Sequence, residues 1–171
     1  MKHVFGVVIG LCCLASCGDN LPVTDNEAIL GKWYCKLAYE EDGMQTDMYL
    51  HSELFANGKR KERANIKISG EGARLNVALD ITGKWRLSSE TLVKTSSKRK
   101  LANLKASGVA FDGLTDTQIK RLVKEQLNLG SAKDDLSEDI SIRGLTSDSM
   151  DMMTMVGSRS HTANCKRPDA I

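Results

Sequence analysis

The sequence predicts a mainly β protein, an antiparallel meander that forms a small barrel or half barrel, with one amphipathic helix at about 115–129 before the final hairpin. Apolar and polar residues alternate in several runs, most cleanly in 75–81, which is the pattern of half-buried antiparallel strands. Asn57 and Gly58 separate two such runs, and this pair is a strong hairpin signal because a type I′ turn needs positive φ at both positions. Two cysteines, Cys35 and Cys165, lie near the beginning and the end of the predicted sheet.

The predicted strands are rich in aromatic and aliphatic residues and are separated by segments that favour turns. The first strand is expected to end before the turn-forming residues Glu41-Asp42-Gly43. The segment 98–113 has a less regular pattern, and no strand is predicted in it. In chain order the predicted strands are 33–39, 48–55, 60–69, 75–81, 85–87, 91–95, 140–143 and 150–156.

A helix is predicted between the sixth and seventh of these strands. Thr115 and Gln118 have the spacing of a capping box, and Gly130 provides a stop signal. Ile119 and Val123 follow helical spacing, so one face is apolar. We expect the helix to pack over the sheet or to plug one end of it; binding a partner or a membrane surface is the alternative.

The N-terminus has the features of a secretory signal. Lys2 and His3 precede an apolar run at 4–14 that is too short to span a membrane stably. The run ends in Leu14-Ala15-Ser16-Cys17, which resembles the lipobox of bacterial lipoproteins. The predicted domains are therefore a lipoprotein signal peptide at 1–16, a lipidated N-terminus and tether at 17–28, and a single β domain at 29–171. An ordinary secreted protein that is cleaved nearby is the alternative.

The lipobox resemblance implies that Cys17 carries diacylglycerol on its sulfur and, after cleavage, a further acyl chain such as palmitate on its amine. Two or three acyl chains hold a protein durably on a membrane. An Asp directly after the cysteine typically retains such lipoproteins in the inner membrane, and this chain has Gly18 there. The expected location is thus the outer membrane, facing the periplasm.

Cys35 and Cys165 are the two cysteines that remain after the signal and the lipid are accounted for. An even pair in an oxidising compartment predicts a disulfide, with a redox or metal-binding role as the alternative. Because the disulfide would join the first strand to the segment after the last one, it predicts neighbouring ends and hence a closed or nearly closed barrel. The nearly neutral mature domain argues against nucleic acid as a partner.

Gly31-Lys32-Trp33, at the start of the first strand, resembles the Gly-x-Trp signature of lipocalins. The resemblance implies a small antiparallel barrel in which Trp33 closes the base and stacks on an arginine, for which Arg159 is the candidate. It also implies a cavity for a small apolar or lipid ligand. The same three residues recur with Trp85, either because Gly83 lets the strand bend tightly or because Trp85 is a second aromatic plug.

Four methionines form an unusual cluster at 150–155. In a strand Met150 and Met152 share one face and Met153 and Met155 the other, so the four sulfur atoms cannot converge. We expect Met150 and Met152 to fill the core or line a cavity. Because thioethers also suit Cu(I), a copper carrier is the alternative.

The sequence has no Gly-x-Ser-x-Gly, no His-Glu-x-x-His and no Cys/His spacing suited to zinc, so we expect neither enzymatic activity nor a cofactor or metal. Basic runs at 59–63 and 98–100 flank predicted turns and are either solvated or in contact with anionic lipid headgroups or lipopolysaccharide. Two functions remain open: a binding protein for a small apolar or lipid ligand, or a structural lipoprotein with a filled barrel that contacts another envelope protein.

Overall fold

The computed structural model describes residues 27–41, 43–127, 129, 136–156 and 159–170. The predicted signal peptide, the lipidation site Cys17, most of the tether and the helix stop signal at Gly130 lie outside the described residues. Among those described, no helix is long and apolar enough to cross a membrane.

The described residues form an eight-stranded closed antiparallel barrel with one α-helix before the final hairpin, as the sequence predicts. Each strand pairs with the next along the chain, and the last strand pairs with the first. The strands are β1 (Gly31–Glu41), β2 (Met44–Leu54), β3 (Lys59–Gly70), β4 (Ala73–Ser88), β5 (Thr91–Ser107), β6 (Leu136–Arg143), β7 (Ser149–Val156) and β8 (Arg159–Lys166).

Three sequence predictions about the strands were wrong. The runs 75–81 and 85–87 belong to the single strand β4, and β5 continues to Ser107 through the segment that looks irregular in the sequence. Register shifts at Ala78/Leu79 and Thr82/Gly83 interrupt the β4–β5 pairing, and a bulge breaks the period-two pattern by which strands are recognised. β8 was not predicted because it is mostly polar, and Cys165 lies inside it rather than after the last strand.

The helix α1 (Asp116–Gln126) lies in the connection between β5 and β6 and begins with the predicted capping box. Thr115 Oγ1 accepts a hydrogen bond from the Gln118 backbone N–H at 3.3 Å, and the Thr115 N–H donates to Gln118 Oε1 at 2.8 Å. Ile119 and Val123 are its buried residues, and they form one cluster with Ala64, Val77 and Leu79 of β3 and β4. The helix therefore packs on the barrel at the end where β5 leaves it, called the upper end here.

The lower end of the barrel holds the larger buried cluster. β1 begins there, and the β2–β3, β4–β5 and β6–β7 turns lie there too. The cluster includes Ile29, Trp33, Leu54, Trp85, Leu92, Ile142 and Met150. The barrel is thus packed shut below and covered by the helix above, and the space between these two clusters is where a site can lie.

Candidate ligand-binding site in the barrel

Trp33 closes the lower end of the barrel. Its side chain is 1 % exposed, and its Nε1–H donates a hydrogen bond to the Ile29 carbonyl at 2.7 Å. The guanidinium of Arg167 lies 4.0 Å from the centre of the indole ring, a cation–π contact. Arg167 also donates hydrogen bonds to the Leu30 carbonyl and, at 2.7 Å, to the Ala28 carbonyl. The stack therefore ties the segment before β1 to the end of β8.

The prediction that Arg159 stacks on the tryptophan was wrong, because Arg167 occupies that place. The register pairs Tyr34 with Lys166, so the residue after Lys166 comes next to Trp33. Arg159 begins β8, pairs with Val156 near the upper end and is exposed. Since β8 was not recognised as a strand, its register, which decides between the two arginines, was not available from the sequence.

Gly31 is required at this closed end for two reasons. Its φ is +97°, a conformation that L side chains rarely adopt, and a Cβ there would lie 2.8 Å from Nη1 of Arg167. The glycine of the Gly-x-Trp motif therefore lets the arginine reach the backbone beside the tryptophan.

Replacing Gly31 by alanine is expected to lower the free energy of unfolding by about 1–3 kcal/mol, because a strained backbone conformation is combined with a clash. Urea denaturation measures the change. Gly113→Ala is the matched control, since Gly113 has a φ of +80° but open space around a Cβ, so it carries the backbone strain alone. Equal losses in the two variants would show that the approach of Arg167 is not what requires Gly31.

Trp85 lies in the same lower cluster as Trp33. Its Nε1–H donates to the Phe55 carbonyl at 3.0 Å. Gly83, two residues earlier, lies at a register shift where a Cβ would come within 1.9 Å of the Thr95 carbonyl oxygen. Gly83 thus permits the close approach of β4 and β5, and Trp85 packs at the closed end. Neither Trp33 nor Trp85 lines the interior cavity.

The predicted disulfide is confirmed: Cys35 and Cys165 are bonded and directly opposite each other on β1 and β8. Both side chains are buried inside the barrel. The bond therefore lies across the seam that closes the barrel.

A cavity of about 260 Å³ lies inside the barrel above the lower cluster. Its walls are mostly apolar and include Leu37, Leu50, Ala64, Leu79, Ile140 and Met152. The two methionines singled out in the sequence, Met150 and Met152, both belong to the lower cluster, and Met152 also lines the cavity, whereas Met150 does not. Met155, on the opposite face of β7, is exposed.

Five polar side chains at the lower boundary of the cavity form a buried charge cluster: Ser52, Arg60, Glu62, Lys94 and Ser96. Glu62 is at its centre, paired with Arg60 and with Lys94, whose Nζ lies 2.7 Å from Oε1. Ser52 Oγ donates to the same oxygen at 2.9 Å, and Nη2 of Arg60 donates to Ser96 Oγ at 2.7 Å. Arg60, Glu62, Lys94 and Ser96 line the cavity.

The buried charge cluster carries an excess of positive charge. Burial by itself raises the pKa of Glu62, but the charges of Lys94 and Arg60 and the hydrogen bonds from Lys94 and Ser52 outweigh it, and the net pKa is lowered. An ionised Glu62 therefore balances only one of the two cations. Nε of Arg60 is buried without a hydrogen-bond partner. Arg99 and Glu138 also line the cavity, and their formal charges cancel. The residues that line the cavity therefore have a formal net charge of one positive unit.

The buried charge cluster was missed in the sequence. In the sequence Arg60 stands in a basic run with Lys59, Lys61 and Arg63, which is typical of a charged surface. In the structure Arg60 is only 2 % exposed, whereas its neighbours Lys59 and Lys61 are exposed. The signal was present in the alternation, since Arg60 and Glu62 are separated by even numbers of residues from the apolar Ala64 and Ile66 in the predicted strand 60–69 and so share their face.

No known family model matches the sequence. The comparison with curated proteins found no match either. Within the described ranges, no three His, Cys, Asp or Glu side chains come together as metal ligands would. The cavity combines apolar walls with a cationic floor, an arrangement that is suited to hold an amphipathic anion.

Proposed function

We propose that this chain is a lipid-anchored, non-enzymatic binding protein of the outer membrane, facing the periplasm, whose barrel holds a small apolar molecule with an acidic head group. The observation that carries the proposal is the excess positive charge at the floor of an apolar cavity. Anchoring through Cys17 is supported by the lipobox-like sequence alone. A lipocalin-like assignment is supported by the Gly31-Lys32-Trp33 motif together with the closed barrel.

The charge argument rests on the cost of desolvation. Removing an ion from water costs several kcal/mol unless a partner and hydrogen bonds compensate for it. Arg60 and Lys94 share one carboxylate, and Nε of Arg60 has no partner. A carboxylate or phosphate of a ligand would supply the second counter-charge and accept the unused hydrogen bond.

The position of the buried charge cluster sets the orientation of the ligand. The cluster lies at the lower boundary of the cavity, and the apolar walls rise from it toward α1. The head group would therefore bind beside Arg60 and Lys94, with the tail pointing to the upper end. The cavity of about 260 Å³ is near the lower limit of typical ligand pockets, which favours a molecule with one acyl chain rather than two.

Calorimetric titration with three probes of equal chain length tests the proposal: decanoate, decanol and decyltrimethylammonium. Decanoate is expected to bind, decanol about tenfold or more weakly, and the cation not measurably, since a hydrogen bond to a charged group is worth about 1.5–3 kcal/mol. Native mass spectrometry of the protein taken from its own membrane should show a retained acidic molecule. Equal affinities for decanoate and decanol would contradict the role of the cationic floor.

Lys94→Met is expected to weaken decanoate binding about tenfold, because it leaves Arg60 and Glu62 as a neutral pair and removes the excess charge. The same change should leave decanol binding unaltered. Lys98→Met is the matched control, since Lys98 lies on the same strand but is exposed. A Lys94→Met protein that binds decanoate like the wild type would overturn the assignment of the head-group site.

A second candidate function is a structural lipoprotein that contacts another envelope protein through its upper end. Val109 is 71 % exposed and Met155 is 63 % exposed. Leu114 and Leu122 are also exposed, and all four residues lie at the upper end of the barrel. Exposed apolar side chains that share one end of a domain are typical of protein contacts. An empty barrel in native mass spectrometry, together with lost partner binding in a Val109→Ser variant, would favour this function over ligand binding.

A further inference from the structure

We infer that the outer face of β3, β4 and β5 binds the surface of an anionic phospholipid membrane. Ten Lys and Arg residues point outward from these three strands and are exposed, against one outward carboxylate, Asp80. The whole chain has a formal net charge of only +2, so the rest of it is net negative. The positive charge is therefore concentrated on one side of the barrel. This basic face consists of the ten residues Lys59, Lys61, Arg63, Lys67, Arg74, Lys84, Arg86, Lys98, Lys100 and Lys105.

Six members of the basic face lie on the lower half of these strands: Lys59, Lys61, Arg63, Lys84, Arg86 and Lys98. The register places Lys59 directly opposite Lys84. Like charges that face each other across strands destabilise a sheet. Asp80 pairs with both Arg63 and Lys100, and on the neighbouring β2 Glu53 and Asp47 lie opposite Lys61 and Lys67. In the described strands the other six members of the face have no carboxylate opposite them: Lys59, Arg74, Lys84, Arg86, Lys98 and Lys105. An anionic surface would relieve this repulsion, because each cation gains energy within a Debye length of it.

The other side chains of the face favour lipid over nucleic acid. The outward residues between the cations are small or polar, such as Asn76, Ala78, Thr82 and Thr95, and no aromatic ring points outward from the described β3–β5. Single-stranded nucleic acids need aromatic side chains on which bases stack. Phe55 and Tyr49 border the face, and their rings are already in contact with Lys61 at 5.7 Å and Lys67 at 5.5 Å. The broad sheet itself has no outward ring on its described residues, so headgroup phosphates can approach many cations at once.

The position of the chain start is consistent with this orientation. Glu27 to Leu30 and the beginning of β1 lie at the lower end, where the densest part of the basic face also lies. A tether over 17–28 reaches at most about 3.5 Å per residue, enough to let the barrel rest on its side. The inference does not depend on the ligand proposed for the cavity, and the anchor serves only to hold the face near the membrane.

Chemical footprinting of lysines in the full-length protein tests the inference. The protein is incorporated into phosphatidylcholine vesicles with or without about one-third phosphatidylglycerol, and acetylation rates are read by mass spectrometry. In the anionic vesicles, Lys59, Lys61, Lys84 and Lys98 are expected to react roughly fivefold more slowly, with the difference abolished by high salt. Lys36 on β1 and Lys166 on β8 are the internal references, exposed on other strands of the barrel.

Equal acetylation rates in both vesicles, or the same protection at Lys36 and Lys166, would overturn the inference. Protection by a DNA duplex without protection by anionic vesicles would also overturn it, in favour of a nucleic-acid surface. A second measurement compares the double variant Lys59→Gln/Lys84→Gln with the control double variant Lys120→Gln/Lys124→Gln. The first variant is expected to have a higher Tm than the wild type and weaker protection of Lys61 and Lys98 by anionic vesicles. The control variant should change neither the Tm nor this protection.

Discussion

Replacing Cys35 and Cys165 together by alanine is expected to lower the free energy of unfolding by about 5 kcal/mol, according to the chain-entropy model for a long loop. The disulfide spans 130 residues and so constrains almost the entire folded domain. It also lies at the middle of the β1–β8 seam, which consists of three residue pairs: Tyr34 with Lys166, Cys35 with Cys165, and Lys36 with Asn164. A short seam has few hydrogen bonds of its own to keep the barrel closed.

Urea denaturation of the oxidised wild type, the wild type in dithiothreitol and the double alanine variant measures this effect. Native domains are stable by about 5–15 kcal/mol, so such a loss would leave the barrel marginal. Dithiothreitol should have no effect on the alanine variant, which is the control for other consequences of the reductant. A loss below about 1 kcal/mol would show that strand pairing alone closes the seam.

The second large effect is expected for Glu62→Gln, which should destabilise the barrel by about 3–5 kcal/mol because it leaves two buried cations without a counter-charge. Arg60 and Lys94 are each 2 % exposed, so water cannot take over the role of the carboxylate. Asp80→Asn is the matched control. Asp80 forms an exposed ion pair with Arg63 at 3.7 Å, and its loss should cost at most about 1 kcal/mol.

A second change should restore most of the stability. In Glu62→Gln/Lys94→Met a single buried cation remains, as in the formal balance of the wild type, and the double variant should be more stable than Glu62→Gln alone. A double-mutant cycle gives the coupling between the two side chains. If Glu62→Gln were as stable as Asp80→Asn, the cluster would have to be accessible to water, and the charge argument for ligand binding would fail with it.

Because the pKa of Glu62 is lowered in the folded protein, the free energy of unfolding is expected to depend on pH. A carboxyl group with a lower pKa in the folded state stabilises the protein above its unfolded pKa, about 4.3, and this contribution is lost as pH falls through the folded value. The wild type should therefore lose stability on acidification below about pH 5, and Glu62→Gln should lose less. Parallel pH profiles of the two proteins would contradict the assignment.

Local patterns in the chain were sufficient for a large part of the fold. The alternation of apolar residues predicted most strands, the Asn57-Gly58 turn predicted the β2–β3 hairpin, and Thr115 with Gln118 predicted the start of α1. The two cysteines predicted that the first and last strands meet. Each of these signals depends on residues close in sequence or, for the disulfide, on covalent chemistry that leaves few partners.

The contents of the barrel depend on register between distant strands, which no local pattern encodes. Arg167 rather than Arg159 meets Trp33 because of how β8 pairs with β1. Arg60 meets Glu62 and Lys94 inside the barrel because β3 and β5 both turn those positions inward, although in the sequence Arg60 stands in a run of surface charges. The sequence alone thus determined that a disulfide-closed β-barrel forms, while only the tertiary structure decided which charges are buried, because burial depends on strands brought together across the fold.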